Sequence, residues 1–166
     1  MHRAIQAVGV GIAIVLGAAG APGQVPVGDF YHFERLDAKT GKDRSTITTL
    51  AAENLVSGAG GLTWGCQGDR LQVTVTSTYL GRSMRAQVRW RFDEEEVSEF
   101  QEWVLRSSGR AVTAPQELTA DFTKRALAAS RVEIQVTDFQ HLRHRYTFAL
   151  GGLTDAISRL SCAPSP

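Results

Sequence analysis

Apolar and polar residues alternate with a period of two through most of the middle of the chain. In LQVTVT, Leu71, Val73 and Val75 alternate with Gln72, Thr74 and Thr76. In RAQVRWRF, Ala86, Val88, Trp90 and Phe92 share one side, while Arg85, Gln87, Arg89 and Arg91 share the other. RVEIQVT sets Val132, Ile134 and Val136 against Arg131, Glu133 and Gln135, and RYTFAL sets Tyr146, Phe148 and Leu150 against Arg145, Thr147 and Ala149. A strand that hides one face and wets the other belongs to an antiparallel sheet. Weaker strand patterns fall at 30–36, 45–52, 103–106 and 110–112.

Two stretches switch to helical spacing. Pro115 suits a first helical turn, and Leu118, Phe122, Ala126 and Ala129 follow on one face. After the Gly151-Gly152 break, Leu153, Ala156, Ile157 and Leu160 form a second apolar stripe that runs to Cys162. The pattern predicts a mainly β (α+β) domain, antiparallel and β-sandwich-like. It is built from two packed sheets or one curled sheet, closed by two helices.

The N-terminus reads MHRAIQAVGVGIAIVLGAAG. Arg3, a short apolar run from Ala7 to Leu16 and a small-residue stretch have the layout of a cleaved secretory signal peptide. The apolar run is too short and too rich in Gly and Ala for a good membrane span. Cleavage after Gly20 places Ala18 and Gly20 at the small-residue subsites. The expected organisation is a signal peptide at 1–20, a linker at 21–28, one domain at 29–162 and a tail at 163–166. Periplasmic or secreted localisation follows, with no stable membrane anchor after cleavage.

Export changes how LTWGCQGDR is read. Cys66 and Cys162 are the only cysteines, and an even count in an oxidising compartment favours a disulfide. A catalytic thiol needs a histidine base, and His32, His141 and His144 sit in no nucleophile motif. A zinc site needs more ligands at ligand spacing. The bridge closes a loop of nearly a hundred residues, worth about 4–5 kcal/mol in the chain-entropy model.

The chain has 18 basic and 17 acidic residues, and removal of Arg3 with the leader leaves 17 of each. A neutral protein is a poor nonspecific ligand for nucleic acid or anionic membrane.

Taken in order, several segments resemble a known family. TYLGRSMRAQVRWRFD, WVLRSSGRAV, RALAASRVEIQVTDF and YTFALGGLTDAI, with the closing Cys162, are similar to the core domain of VasI-type proteins. These are exported accessory proteins of bacterial type VI secretion systems. FERLDAKTGKDRSTITTLAAEN and LTWGCQGDRLQVTV resemble the strands that open that domain. The likeness spans roughly 29–162 and lies in the succession of segments. It marks Cys66 and Cys162 as the family's cysteine pair. It also marks Tyr79-Leu80-Gly81, Trp103 with Ser107, Phe148, Gly152-Leu153 and Ala156 as turn or core positions. Ala163-Pro164 stands where the family often has His-Trp. The resemblance implies an envelope accessory protein and supplies no catalytic residue.

Four polar groupings are candidates for chemistry. Asp138, His141 and His144 in DFQHLRHR have metal-ligand side chains, yet the pattern around them is strand, turn, strand, which favours a solvated hairpin turn and no metal. DEEEVSEFQEW carries six carboxylates between Asp93 and Glu102. Glycosidase chemistry needs two carboxyls held across a cleft with unlike pKa values, and consecutive surface glutamates supply neither by themselves. Asp69 with Gly68 reads as a tight hairpin turn. Arg85, Arg89 and Arg91 share the polar face of one strand; they either pair across the sheet or meet an acidic partner.

These readings converge on a non-enzymatic exported envelope accessory or binding protein, possessing no cofactor and contacting a protein partner rather than nucleic acid. The alternative is a small envelope hydrolase, or a hydrolase inhibitor, acting at the cell wall. The expected partner-binding residues are Arg85, Arg89 and Arg91.

Overall fold

The computed structural model describes residues 24–52 and 60–163. The expected signal peptide, 1–20, lies outside the described residues. The described chain forms β1 (Gln24–Val27), β2 (Phe30–Phe33), β3 (Thr46–Leu50), β4 (Gly61–Gln67), β5 (Arg70–Thr76), β6 (Arg85–Phe92), β7 (Gln101–Leu105), β8 (Ala111–Thr113), α1 (Gln116–Ala128), β9 (Arg131–Thr137), β10 (Arg143–Ala149) and α2 (Leu153–Ile157).

The strands make one antiparallel sheet in the order β1-β2-β3-β4-β5-β8-β7-β6-β9-β10. From β5 the chain crosses to β6, and the β6-β7-β8 meander runs back until β8 pairs with β5. The sheet then curls: the Ala52 N–H, just beyond β3, donates to the Thr147 carbonyl on β10 at 3.0 Å. Of the two arrangements the alternation allows, a single curled sheet is the one formed.

The four clear strands keep their expected faces. Leu71, Val73, Val75, Val88, Trp90, Phe92, Val132, Ile134, Val136, Tyr146, Phe148 and Leu150 are all buried. Gln135 departs from the pattern, because it is buried although it stands on the outer face of β9. The weaker strands are shorter than expected or shifted by a residue or two. β1 is a further correction: it occupies Gln24–Val27, inside the stretch expected to be linker. Pro26 and a short exposed edge gave no alternation to read there.

α1 lies against the inner face of the curl. Glu117 in its first turn and Arg125 in its last complement the helix dipole. Its Phe122 is the hub of an aromatic cluster, with ring centroids 6.1 Å from Trp64, 5.5 Å from Trp90, 5.1 Å from Phe92 and 5.9 Å from Trp103. Trp64 comes from β4 and the other three from β6 and β7. The helix therefore joins both halves of the sheet.

α2 covers only Leu153–Ile157, shorter than the apolar stripe to Leu160 suggested. Leu160 is nonetheless buried, in the turns that follow. The Gly151-Gly152 break that starts this segment packs on the β1–β2 turn. The Asp29 N–H donates to the Gly151 carbonyl at 2.8 Å, and the Asp29 carboxylate accepts the Gly151 N–H at 2.8 Å. A Cβ on Gly28 would sit 2.3 Å from the Gly151 oxygen, so this approach requires glycine.

Cys66 on β4 and Cys162 after α2 form a disulfide, with Cα atoms 5.6 Å apart. The bridge thus ties the fourth strand to the segment that follows α2. Of the positions marked by the family resemblance, Leu80, Trp103, Phe148, Leu153 and Ala156 are buried, and Gly81 has φ 119° against the Phe139 side chain.

Candidate functional site

β6 places Arg85, Arg89 and Arg91 on the outer face of the sheet, and pairing carries that face onto β9 and β10. Arg89 stands opposite Gln135, which stands opposite Arg145. Arg91 stands opposite Glu133 in the next row. The register therefore adds Arg143 and Arg145 to the arginines of β6. The alternation in RYTFAL already put Arg145 on a polar face, but only the β6-β9-β10 order sets it beside Arg89 and Arg91.

Each of the three arginines has a different partner. Arg85 donates to the Glu102 carboxylate of β7 at 2.7 Å. Arg91 lies 3.4 Å from Glu133, and Arg145 lies 3.5 Å from the same carboxylate, so one acid serves two guanidiniums. Arg89 has no carboxylate partner among the described residues. Its Nε donates to the Gln135 side-chain oxygen at 2.6 Å, and its guanidinium lies 4.7 Å from the Phe100 ring centroid. Arg143 approaches the same ring at 5.7 Å and likewise forms no ion pair among the described residues.

The result is a sheet face with cationic surplus and an aromatic platform. Buried Gln135 holds Arg89 in place from one side and Phe100 supports it from the other. A polar notch of about 170 Å³ opens here, lined by Arg89, Arg91, Glu133, Gln135 and Arg145. Such a surface can offer fork-shaped donors to carboxylates or phosphates. Phe100 carried no signal in the sequence, because it interrupts an acidic loop rather than a periodic strand.

The acidic segment folds back on its own domain. The Asp93 carboxylate accepts the N–H groups of Ser130 at 3.1 Å and Arg131 at 3.0 Å. Glu94 pairs with Arg131 and Glu95 with Arg125. The Ser98 hydroxyl accepts the Trp90 N–H at 2.9 Å, which pins the loop to the edge of β6. Four of the segment's carboxylates, counting Glu102, thus bind arginines or backbone donors.

Asp138 and His144 meet across the β9–β10 turn, 2.9 Å apart, while the other Asp138 oxygen accepts the N–H groups of Gln140 at 2.8 Å and Leu142 at 2.9 Å. Burial pushes the Asp138 pKa up, but the hydrogen bonds from His144, Leu142 and Gln140 outweigh it and leave the carboxyl below its ordinary value. Exposed His141 takes a left-handed conformation with φ 63° in the turn itself. Among the described residues, no group of three or more His, Cys, Asp or Glu side chains converges as a metal site. Gly68 and Asp69 form the two-residue turn between β4 and β5, with Gly68 at φ 68°.

No family profile matches the chain, and no curated protein matches it in sequence. Among solved structures, it is similar to invasion associated protein B from Bartonella henselae, with a TM-score of 0.54 at 13% identity. The match covers 82% of this chain and 94% of that one. At this identity the likeness is one of fold: a mainly antiparallel β domain shared over most of both chains.

Proposed function

We propose that the protein is a non-enzymatic exported accessory of the bacterial cell envelope, and that the arginine face of β6, β9 and β10 captures an acidic protein partner. The observation that carries this reading is the pair Arg89 and Arg143, two guanidiniums over Phe100 with no carboxylate partner among the described residues. The signal-peptide layout and the disulfide support an oxidising compartment outside the cytoplasm. The succession of segments similar to VasI-type proteins supports a place beside a type VI secretion apparatus. The fold shared with an invasion-associated protein adds no partner and no activity to this reading. The hydrolase alternative would need two carboxyls held across a cleft in the 93–102 segment, and four of its six carboxylates are engaged with arginines or backbone donors.

The experiment is capture of envelope proteins by immobilised protein across a salt series, with poly-glutamate as competitor. Replacing Arg89 and Arg143 with glutamine should weaken capture and flatten its salt dependence, because exposed charge contacts are screened within about 10 Å at moderate ionic strength. Arg85→Gln and Arg91→Gln should do less, since each arginine is already paired within the sheet. Capture that is undiminished in the Arg89/Arg143 variant would return this face to ordinary sheet surface.

A further inference from the structure

A second concave surface lies away from the arginine face. α1, α2, the start of β5 and the chain at Cys162 enclose a cleft of about 710 Å³. That is within the roughly 300–1,000 Å³ typical of small-molecule sites. Its apolar walls are Leu71, Ala120, Leu127, Ile157 and Ala163.

Most uncharged polar side chains of the cleft have partners within the protein, Thr154 being the exception among the described residues. Gln116 donates to the Leu71 carbonyl at 3.4 Å, and the Thr119 hydroxyl donates to the Pro115 carbonyl at 3.2 Å. The Thr123 hydroxyl accepts the Trp64 indole N–H at 3.0 Å. A guest therefore meets mainly hydrocarbon along these walls. Charge is confined to Arg70, Lys124 and Asp69, which form no ion pairs among the described residues. Two cations against one carboxylate leave a positive balance at the cleft.

We infer that this cleft binds a medium-chain fatty carboxylate, its alkyl chain between α1 and α2 and its head group on Arg70 and Lys124. The apolar walls favour a chain without polar substituents, because a hydroxyl placed against Leu71, Ala120, Leu127 and Ile157 would lose its hydration there. The unpaired cations select an anionic head over a neutral one. This inference is independent of the arginine face, which is built from other strands.

The test is titration of purified protein with octanoate, decanoate and laurate below their micellar concentrations, beside neutral dodecanol, followed by calorimetry and amide chemical shifts. Affinity should rise with chain length by up to about fourfold per methylene, and laurate should bind several-fold more tightly than dodecanol. Arg70→Gln with Lys124→Gln should bring laurate down to the dodecanol level and leave dodecanol unchanged. Ala120→Glu, at an exposed position on α1, should abolish both while an unchanged melting curve shows the fold intact. Arg89→Gln should change neither. Binding that is independent of chain length, equal for laurate and dodecanol, or lost in Arg89→Gln would overturn the inference. So would concentration-dependent self-association that laurate fails to reverse, which would make the cleft a seam between copies.

Discussion

The indole N–H of Trp64 on β4 donates to the Thr123 hydroxyl on α1 at 3.0 Å, joining two residues 59 positions apart. Trp64 is fully buried and Thr123 nearly so. The contact fixes the rotation of α1 about its axis, and with it the position of Phe122 in the aromatic hub. Thr123→Val keeps the volume but leaves the indole donor without a partner, at a cost of about 1–3 kcal/mol. Urea unfolding should show a lower midpoint with an unchanged slope.

Removing the staple should cost more. A bridge spanning 96 positions is worth about 4–5 kcal/mol in the chain-entropy model. The Cys66→Ser/Cys162→Ser double variant should therefore melt well below the oxidised protein. Thiol titration of the unreduced, denatured protein should find no free thiol, and nonreducing peptide mapping should recover the two cysteines linked.

Along β6, neighbouring residues should respond in opposite ways. Trp90 packs on Trp103 and Phe122, so Trp90→Ala should cost about 3–5 kcal/mol. Arg89→Ala loses a hydrogen bond and a ring contact at a half-buried position and should cost about 1 kcal/mol. Paired denaturation curves measure the difference, and a reversed order would contradict the register of β6.

Acid should loosen the C-terminal end first. Burial raises the Asp43 pKa, but hydrogen bonds from Ser45 and Ser161 outweigh it and bring the carboxyl from 3.8 down to about 2. A lowered native pKa means that the unfolded chain binds the proton more readily. The stabilisation is therefore complete above about pH 4 and is lost as the pH falls through the native value near 2. The melting temperature should drop by several degrees over that window, and Asp43→Asn should show a smaller drop from a lower start. Because Asp43 accepts the Ser161 N–H at 3.2 Å beside Cys162, amide exchange should rise there before it rises in β9.

Much of this architecture is legible in the chain because it is local. A period of two needs only successive side chains on opposite faces, so Val73, Val88, Trp90, Ile134 and Phe148 declare themselves core without reference to any partner strand. The helical stripe through Leu118, Phe122 and Ala126 does the same for α1, and Gly68-Asp69 announces a turn by its backbone preference. The sole pair of cysteines, read beside a signal-peptide layout, points to the disulfide.

Pairing order is another kind of information, and the sequence alone did not settle it. Alternation says which face of a strand is wet but not which strand lies beside it, so Arg143 and Arg145 joined the arginines of β6 only through the β6-β9-β10 order. Short edge strands such as β1 lack enough residues to show a period, and the ring of Phe100 gained its meaning from two guanidiniums arriving from separate strands. The cleft between α1 and α2 depends on how two helices separated by β9 and β10 pack in space. Such neighbours are set by long-range burial and hydrogen bonding across the whole sheet, and only the tertiary structure decides them.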